Sequence, residues 1–249
     1  MSNNSIDINC DLGEGTGNEA AILPFISSVN IACGFHAGNA ITMLEVVRLA
    51  KKHGVAIGAH PSWDDREHFG RRNMQLPARE LYAILLYQLG ALAAICHSES
   101  IPLHHVKPHG ALYNQAAIDA ELSKVITTAI RDFNPALILY GLSGSVLNTT
   151  AEKAGLHVAA EVFADRTYTK EGLLTPRTMH NAMITETAKA TAQALQLVTQ
   201  QEVTTIDHTL IHLKADTICI HGDGAHAPEF ARALHQAMES ASISIQPPA

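Results

Sequence analysis

Short apolar runs recur along the chain, and each stops at a polar loop, most of them rich in glycine. Residues 6–10 lead into Asp11-Leu12-Gly13-Glu14, residues 29–33 into Gly34-Phe35-His36-Ala37-Gly38-Asn39, and residues 55–59 into His60-Pro61-Ser62-Trp63. Residues 101–106, interrupted by Pro102 and two histidines, lead into Lys107-Pro108-His109-Gly110. Residues 136–140, 157–163 and 217–220 end at Gly141-Leu142-Ser143, Ala164-Asp165-Arg166 and His221-Gly222-Asp223. Brief continuous apolar runs bounded by turn residues predict strands buried on both faces. Between them, apolar positions at helical spacing predict helices over 40–53, 77–97, 118–132, 145–154, 177–200 and 227–240.

Strand, loop, helix, strand is the pattern of a parallel sheet. No linker, low-complexity tract or composition shift divides residues 1–249, so a single α/β domain is expected. Length and alternation approach those of an eight-fold barrel, yet only seven strands are counted. The expected architecture is therefore a distorted or open seven-stranded β/α barrel, with a doubly wound open sheet as the alternative. Two long polar stretches, 62–76 and 166–177, exceed ordinary connections and suggest binding loops.

Composition narrows the class. The chain has 249 residues, 47% of them hydrophobic, with 17 basic and 24 acidic residues and a net charge of -7. That is enough apolar material for a full core. No Lys/Arg cluster favours nucleic acid or an anionic membrane. No run of about 20 apolar residues suggests a spanning helix. The start, Met1-Ser2-Asn3-Asn4, lacks the pattern of a signal peptide, and the four cysteines form no C-x-x-C pair, so a reduced, cytoplasmic protein is expected.

Ligands of parallel α/β folds bind at the carboxyl ends of the strands. The predicted ends carry Asp11, Glu14, His36, His60, Lys107, His109, Glu161, Asp165, Arg166, His221 and Asp223, too many ionisable groups for packing alone. Asp11, Glu14 and Asp223 suit a general base or a divalent ion. His36, His60, His109 and His221 suit metal ligation or acid–base work. Lys107 and Arg166 suit a carboxylate, an oxyanion or a phosphoryl group. No local ligand spacing supports a metal, so a site for one, with Asp11, His60 and His109 as candidates, has to be assembled from separate strands. Arg71-Arg72 reads either as an anion clamp or as a solvated pair, Tyr113-Asn114 as site neighbours or helix cap, and Cys33 as packing. The Gly13–Gly17 turn is either a flexible connection or a loop that lets a ligand approach backbone N–H groups. There is no G-x-x-x-x-G-K-[ST] loop and no G-x-S-x-G elbow.

The motifs Asn9-Cys10-Asp11-Leu12-Gly13-Glu14, Asn30-Ile31-Ala32-Cys33-Gly34-Phe35-His36-Ala37-Gly38, Gly58-Ala59-His60-Pro61, Phe69-Gly70-Arg71-Arg72, Val106-Lys107-Pro108-His109-Gly110-Ala111-Leu112-Tyr113-Asn114, Glu161-Val162-Phe163-Ala164-Asp165-Arg166 and His221-Gly222-Asp223 resemble, in order, those of the LamB/YcsF family. The resemblance implies a seven-stranded barrel related to glycoside hydrolases and polysaccharide deacetylases. It implies a role as the A component of a bacterial three-subunit 5-oxoprolinase, which works with subunits B and C and opens 5-oxo-L-proline to L-glutamate, with ATP as co-substrate. By that reading Asp11, His36, His60, Lys107, His109 and Asp223 are catalytic, and Glu14, Asn30, Arg71, Tyr113, Glu161, Asp165, Arg166 and His221 bind substrate. The alternatives are a stand-alone metal-dependent deacetylase or amidohydrolase and a non-catalytic lactam-binding subunit; a homo-oligomer is compatible with each. The chain departs from the pattern at Asn39, where an Asp is expected, and at Val29 and Gly224-Ala225-His226.

Overall fold

A computed structural model describes residues 5–222, 224 and 226–249. Its strands are β1 (Ser5–Leu12), β2 (Ser28–Ala32), β3 (Ala56–His60), β4 (Leu103–Val106), β5 (Ile138–Leu142), β6 (Val158–Phe163), β7 (Glu202–Thr204), β8 (Leu210–His212), β9 (Thr217–His221) and β10 (Ser244–Ile245). Its helices are α1 (Glu19–Ile22), α2 (Ala40–His53), α3 (Ala78–Ser98), α4 (Gly110–Ala116), α5 (Ala120–Phe133), α6 (Val146–Lys153), α7 (Thr187–Gln200) and α8 (Ala227–Ser240). Strands β1 to β6 pair in sequence order, β6 pairs with β9, and β9 pairs back onto β1, every pairing parallel. The sheet closes, so the barrel stands and the open-sheet alternative falls. Closure also removes the free edges that an open sheet has to protect. The barrel is irregular between β3 and β4, where the register shifts at Ile57/Gly58. The antiparallel β7–β8 hairpin stands apart from it, and β10 adds a short parallel strand to β1.

Strands buried on both faces were expected to be apolar on both, and here the structure corrects the pattern. In β1 the residues Ile6, Ile8, Cys10 and Leu12 join the apolar core, while Asp7, Asn9 and Asp11 are buried polar groups. Successive strand residues face opposite ways, so one face packs against the helices and the other fills the barrel. Interior side chains meet across the lumen. Tyr140 of β5 lies 3.1 Å from the Ser28 hydroxyl of β2, and Asn9 of β1 donates to Glu161 of β6 at 2.9 Å. Gly58 makes room for the His105 ring: a Cβ there would stand 2.1 Å from His105 Nε2.

The helices form where the pattern placed them, with two corrections. The predicted helix over 118–132 forms as α5, capped by Asp119, which accepts from the backbone N–H groups of Glu121 and Leu122, but the short helix α4 before it was not predicted. The predicted helix from 177 begins only at Thr187, so residues 177–186 stay with the long loop that follows β6. Helix α2 shows why its bounds were legible: Asn39 caps its start by accepting from Thr42, and Gly54 ends it at φ 68. An 18-residue window of the 21-residue helix α3 reaches a mean hydropathy of 1.5, so by length and composition alone it matches a membrane span. Here it lies against the barrel, burying Leu81, Leu85, Leu89, Leu92 and Cys96. Each such side chain contributes about 1.5–3 kcal/mol by leaving water.

Candidate active site

The carboxyl ends of the strands surround a cavity of about 760 Å³. Its floor is the top of the polar barrel interior. Lys107, which directly follows β4, is buried and places Nζ 2.9 Å from Asp11 Oδ1, 2.8 Å from Glu161 Oε1, 3.2 Å from Asn9 Oδ1 and 3.0 Å from Cys219 Sγ. Burial alone would lower the lysine's proton affinity. Asp11, Cys219 and Glu161 outweigh it and hold the ammonium well above its ordinary pKa. Burial likewise disfavours the Asp11 charge, but His60 and Lys107 hold that carboxyl well below the usual range. Asn30 donates to both Asn9 Oδ1 and Asp11 Oδ1, at 2.7 and 2.8 Å, and His105 Nε2 lies 2.8 Å from Asn30 Oδ1. Thr217 bridges the network to Asp7 below, donating to Asp7 Oδ2 at 2.6 Å.

One wall of the cavity is a cluster of Glu14, His36, His60 and His109. Glu14 sits between Gly13 at φ 74 and Gly15 at φ 86, a left-handed turn that side chains rarely adopt and that returns Glu14 over the end of β1. Its Oε1 lies 3.0 Å from His36 Nε2, 3.4 Å from His109 Nδ1 and 3.9 Å from His60 Nε2. His60 Nε2 lies 2.9 Å from His109 Nδ1 and 3.3 Å from Asp11 Oδ2. The rings of His36 and His109 stack at 3.7 Å. Gly70, at φ 64, permits that stack, since a Cβ would stand 2.9 Å from both His109 Cδ2 and His36 Cβ. Burial first, then neighbouring imidazoles, pushes His36 and His109 well below the usual histidine pKa, so both rings are neutral at pH 7. One ligand atom from each of the four residues lies within 4.8 Å of all the others, so the group has the geometry to hold a metal ion.

The opposite wall carries charge on a different plan. His221 donates from Nδ1 to Asp165 Oδ2 at 2.7 Å and accepts from Arg177 Nη2 at 2.8 Å. Burial opposes the Asp165 charge, but His221, Arg166 and Arg177 keep its pKa low. Arg166 lines the cavity, yet its Nη2 and Nε donate to the carbonyls of Thr175 and Ala182, which ties down the loop after β6. Burial and Arg177 bring its pKa down to about 10. Arg71 lines the cavity with its guanidinium 4.8 Å over the Phe69 ring. Tyr113 of α4 lines the cavity, its phenol pushed well above 10 by burial and by the Glu161 charge.

Asp11, Glu14, His36, His60, Lys107 and His109 thus come together. Glu161 and Asn30 meet Lys107 and Asp11, Arg71, Tyr113, Arg166 and His221 line the same cavity, and Asp165 partners His221. Asp223 and Ala225 lie outside the described residues. Five residues that meet these groups were not expected: Asn9, His105, Thr217, Cys219 and Arg177. The first four sit at alternate strand positions, a two-residue period that the apolar runs concealed. Arg177 was hidden by the overlong helix prediction. All four cysteines are free and buried, and burial pushes the Cys33 thiol up to about 12, in keeping with packing.

The chain is 49% identical over 246 residues to the 5-oxoprolinase A subunit of Geobacillus thermodenitrificans, covering 97% of this chain and 96% of that one. It is 51% identical over 249 residues to the 5-oxoprolinase A subunit of Bordetella pertussis, covering 98% and 99%. The crystal structure of a lactam utilization protein from Thermus thermophilus superposes with a TM-score of 0.91 at 45% identity, over 97% of this chain and 99% of that one. A GH20 β-N-acetylhexosaminidase from Streptomyces coelicolor shares the fold alone, with a TM-score of 0.52 at 11% identity over 96% of this chain and 64% of that one. The sequence model of the LamB/YcsF family matches residues 6–249, and the chain belongs to that family.

Proposed function

We propose that this chain is the A component of an ATP-dependent 5-oxoprolinase and that the cavity described above opens the lactam ring of 5-oxo-L-proline to L-glutamate. The observation that carries the reading is the near-complete, roughly half-identical match to relatives named as the 5-oxoprolinase A subunit. The name implies further subunits, and B and C are the expected partners. A five-membered lactam is a stabilised amide, and coupling its opening to ATP makes the reaction favourable. Transfer of the γ-phosphoryl group to the amide oxygen leaves the ring carbon electrophilic. Water adds at that carbon, the carbon–nitrogen bond breaks as the nitrogen takes a proton, and a second water releases phosphate.

Within that sequence Asp11 takes the proton of the attacking water, and the wall of Glu14, His36, His60 and His109 holds that water in place. Lys107 already engages Asn9, Asp11, Glu161 and Cys219, so it acts on substrate through its charge and by fixing Asp11. Arg71 and Arg177, which line the cavity, suit the substrate carboxylate or a phosphoryl group. The test is reconstitution with subunits B and C, following ATP hydrolysis and glutamate release together. Both activities require all three subunits, depend on 5-oxo-L-proline, and fall about 10²–10⁴-fold in His109→Ala. Glutamate release without ATP would move the assignment to a stand-alone metal-dependent amidohydrolase, a reading that the His/Glu cluster favours. Undiminished turnover in assembled His60→Ala and His109→Ala complexes would leave this chain a lactam-binding subunit.

A further inference from the structure

We propose that Glu14, His36, His60 and His109 are the ligands of a resident divalent transition-metal ion, zinc in the first instance. The proposal deepens the lactam-opening reading of the same cavity, but it rests on geometry that is independent of the substrate. The key observation is where the imidazole protons must be. His60 Nδ1 lies 2.7 Å from the Lys107 carbonyl oxygen, and His109 Nε2 lies 2.9 Å from the Phe69 carbonyl oxygen. Carbonyls only accept, so each of these nitrogens carries the ring's N–H. In the neutral rings that a metal ion would bind, the other nitrogens, His60 Nε2 and His109 Nδ1, present lone pairs, and they face each other at 2.9 Å. Glu14 Oε1, a third acceptor, stands 3.4 Å from His109 Nδ1 and 3.9 Å from His60 Nε2. Three acceptors converging in a buried pocket repel one another unless a cation lies between them.

A shared proton would satisfy one pair only. A metal ion satisfies all three acceptors and takes His36 Nε2, 3.0 Å from Glu14 Oε1, as the fourth ligand. Ligands held at about 2.0–2.1 Å in a tetrahedron stand about 3.3 Å apart, and the observed separations bracket that value. Two of the histidines already have the outer partner that metal-bound imidazoles need, a carbonyl that fixes tautomer and ring orientation. Three imidazoles and one carboxylate suit zinc, and also iron, nickel or copper, rather than the all-oxygen cages of calcium or magnesium. Asp11 Oδ2, 3.3 Å from His60 Nε2, stands beside the group, which places the ion next to the cavity floor.

The test uses the full-length chain, stripped with a chelator and titrated calorimetrically with zinc, then with cobalt, nickel and manganese. Elemental analysis of the reloaded protein gives one ion per chain. Cobalt in the site shows the visible absorption of a low-coordinate complex. His36→Ala, His109→Ala and the near-isosteric Glu14→Gln each weaken binding by more than the ~10–100-fold that loss of an outer-shell partner costs. His212→Ala, at an exposed position outside the cluster, binds as the parent does. Circular dichroism separates lost ligation from lost folding, and Glu14→Gln remains informative if the histidine variants fail to fold. The proposal is overturned if the parent takes up none of the four metals saturably, or if the ligand variants bind undiminished. Absent metal with intact, ATP-coupled glutamate release would sink the metal centre and leave the proposed function standing; bound metal without that activity would do the reverse.

Discussion

The two faces of β1 obey different rules within eight residues. Outward, Ile6, Ile8, Cys10 and Leu12 meet helices through apolar contact, where shape decides stability. Inward, Asp7, Asn9 and Asp11 meet Ser27, Thr217, Glu161, Asn30 and Lys107 through directed bonds, where each donor needs its acceptor. The outer face tolerates graded change. The inner face holds charges that survive burial only while their partners stay in place. A protein that spends its barrel interior on polar groups in this way gives up apolar burial there and gains a rigid, charged floor beneath a cavity.

The sharpest way to break the inner face is Lys107→Met, which keeps volume and removes the cation. It leaves Asp11 and Glu161 buried without their shared counter-charge, a loss of about 3–5 kcal/mol in urea unfolding. In the reconstituted complex, turnover falls at least ~10²-fold, the scale for losing one electrostatic donor. Adding Glu161→Gln removes one of the stranded charges and restores part of the stability but none of the turnover. Ile8→Ala is the outer-face counterpart. It costs about 2–5 kcal/mol through its cavity, yet turnover per folded molecule is unchanged. Equal turnover losses in the two variants would erase the distinction between the faces.

A second prediction separates the faces by pH. Burial raises the Asp7 carboxyl from its ordinary 3.8 to about 6, although Ser27 and Thr217 donate to it. The folded chain therefore holds this proton more tightly than the unfolded chain does. The sign follows: stability attributable to Asp7 is present below pH 3.8 and is lost as pH rises through about 6. At about 1.4 kcal/mol per tenfold change in proton affinity, the loss approaches about 3 kcal/mol. Asp7→Asn cannot titrate, so relative to the parent it gains stability between pH 4 and pH 7. Parallel stability curves for the two proteins over that range would show that Asp7 carries no such burden.

The contrast also explains what was legible beforehand. The strand ends were legible because Gly, Pro and His punctuate them, so His60, Lys107 and His109 could be placed on a common rim. The interior was not, because Ile-Asp-Ile-Asn-Cys-Asp-Leu reads as an apolar run with polar interruptions unless the alternation is given priority. His105 was invisible for a further reason. Its position depends on Gly58 in the neighbouring strand, and single-strand patterns carry no cross-strand information. Which carboxylate meets all three histidines was likewise settled by the turn of Gly13 and Gly15, which brings Glu14 against three rings while Asp11 bridges the lysine and His60.

Asn39 gives the smallest effect and the finest discrimination. An acidic residue was expected there, and its absence would matter if position 39 belonged to the charged interior. Instead the Asn39 side chain accepts from Thr42 N at 3.0 Å and caps α2 on the exposed, helical side of the chain. Asn and Asp cap helices about equally well. Asn39→Asp is therefore expected to change stability by only a few tenths of a kcal/mol and to leave turnover unchanged. Asn39→Ala loses the cap and about 1 kcal/mol of stability, again without a direct effect on turnover. A marked gain in turnover for Asn39→Asp would place this position in the chemistry of the inner face and redraw the boundary between the two.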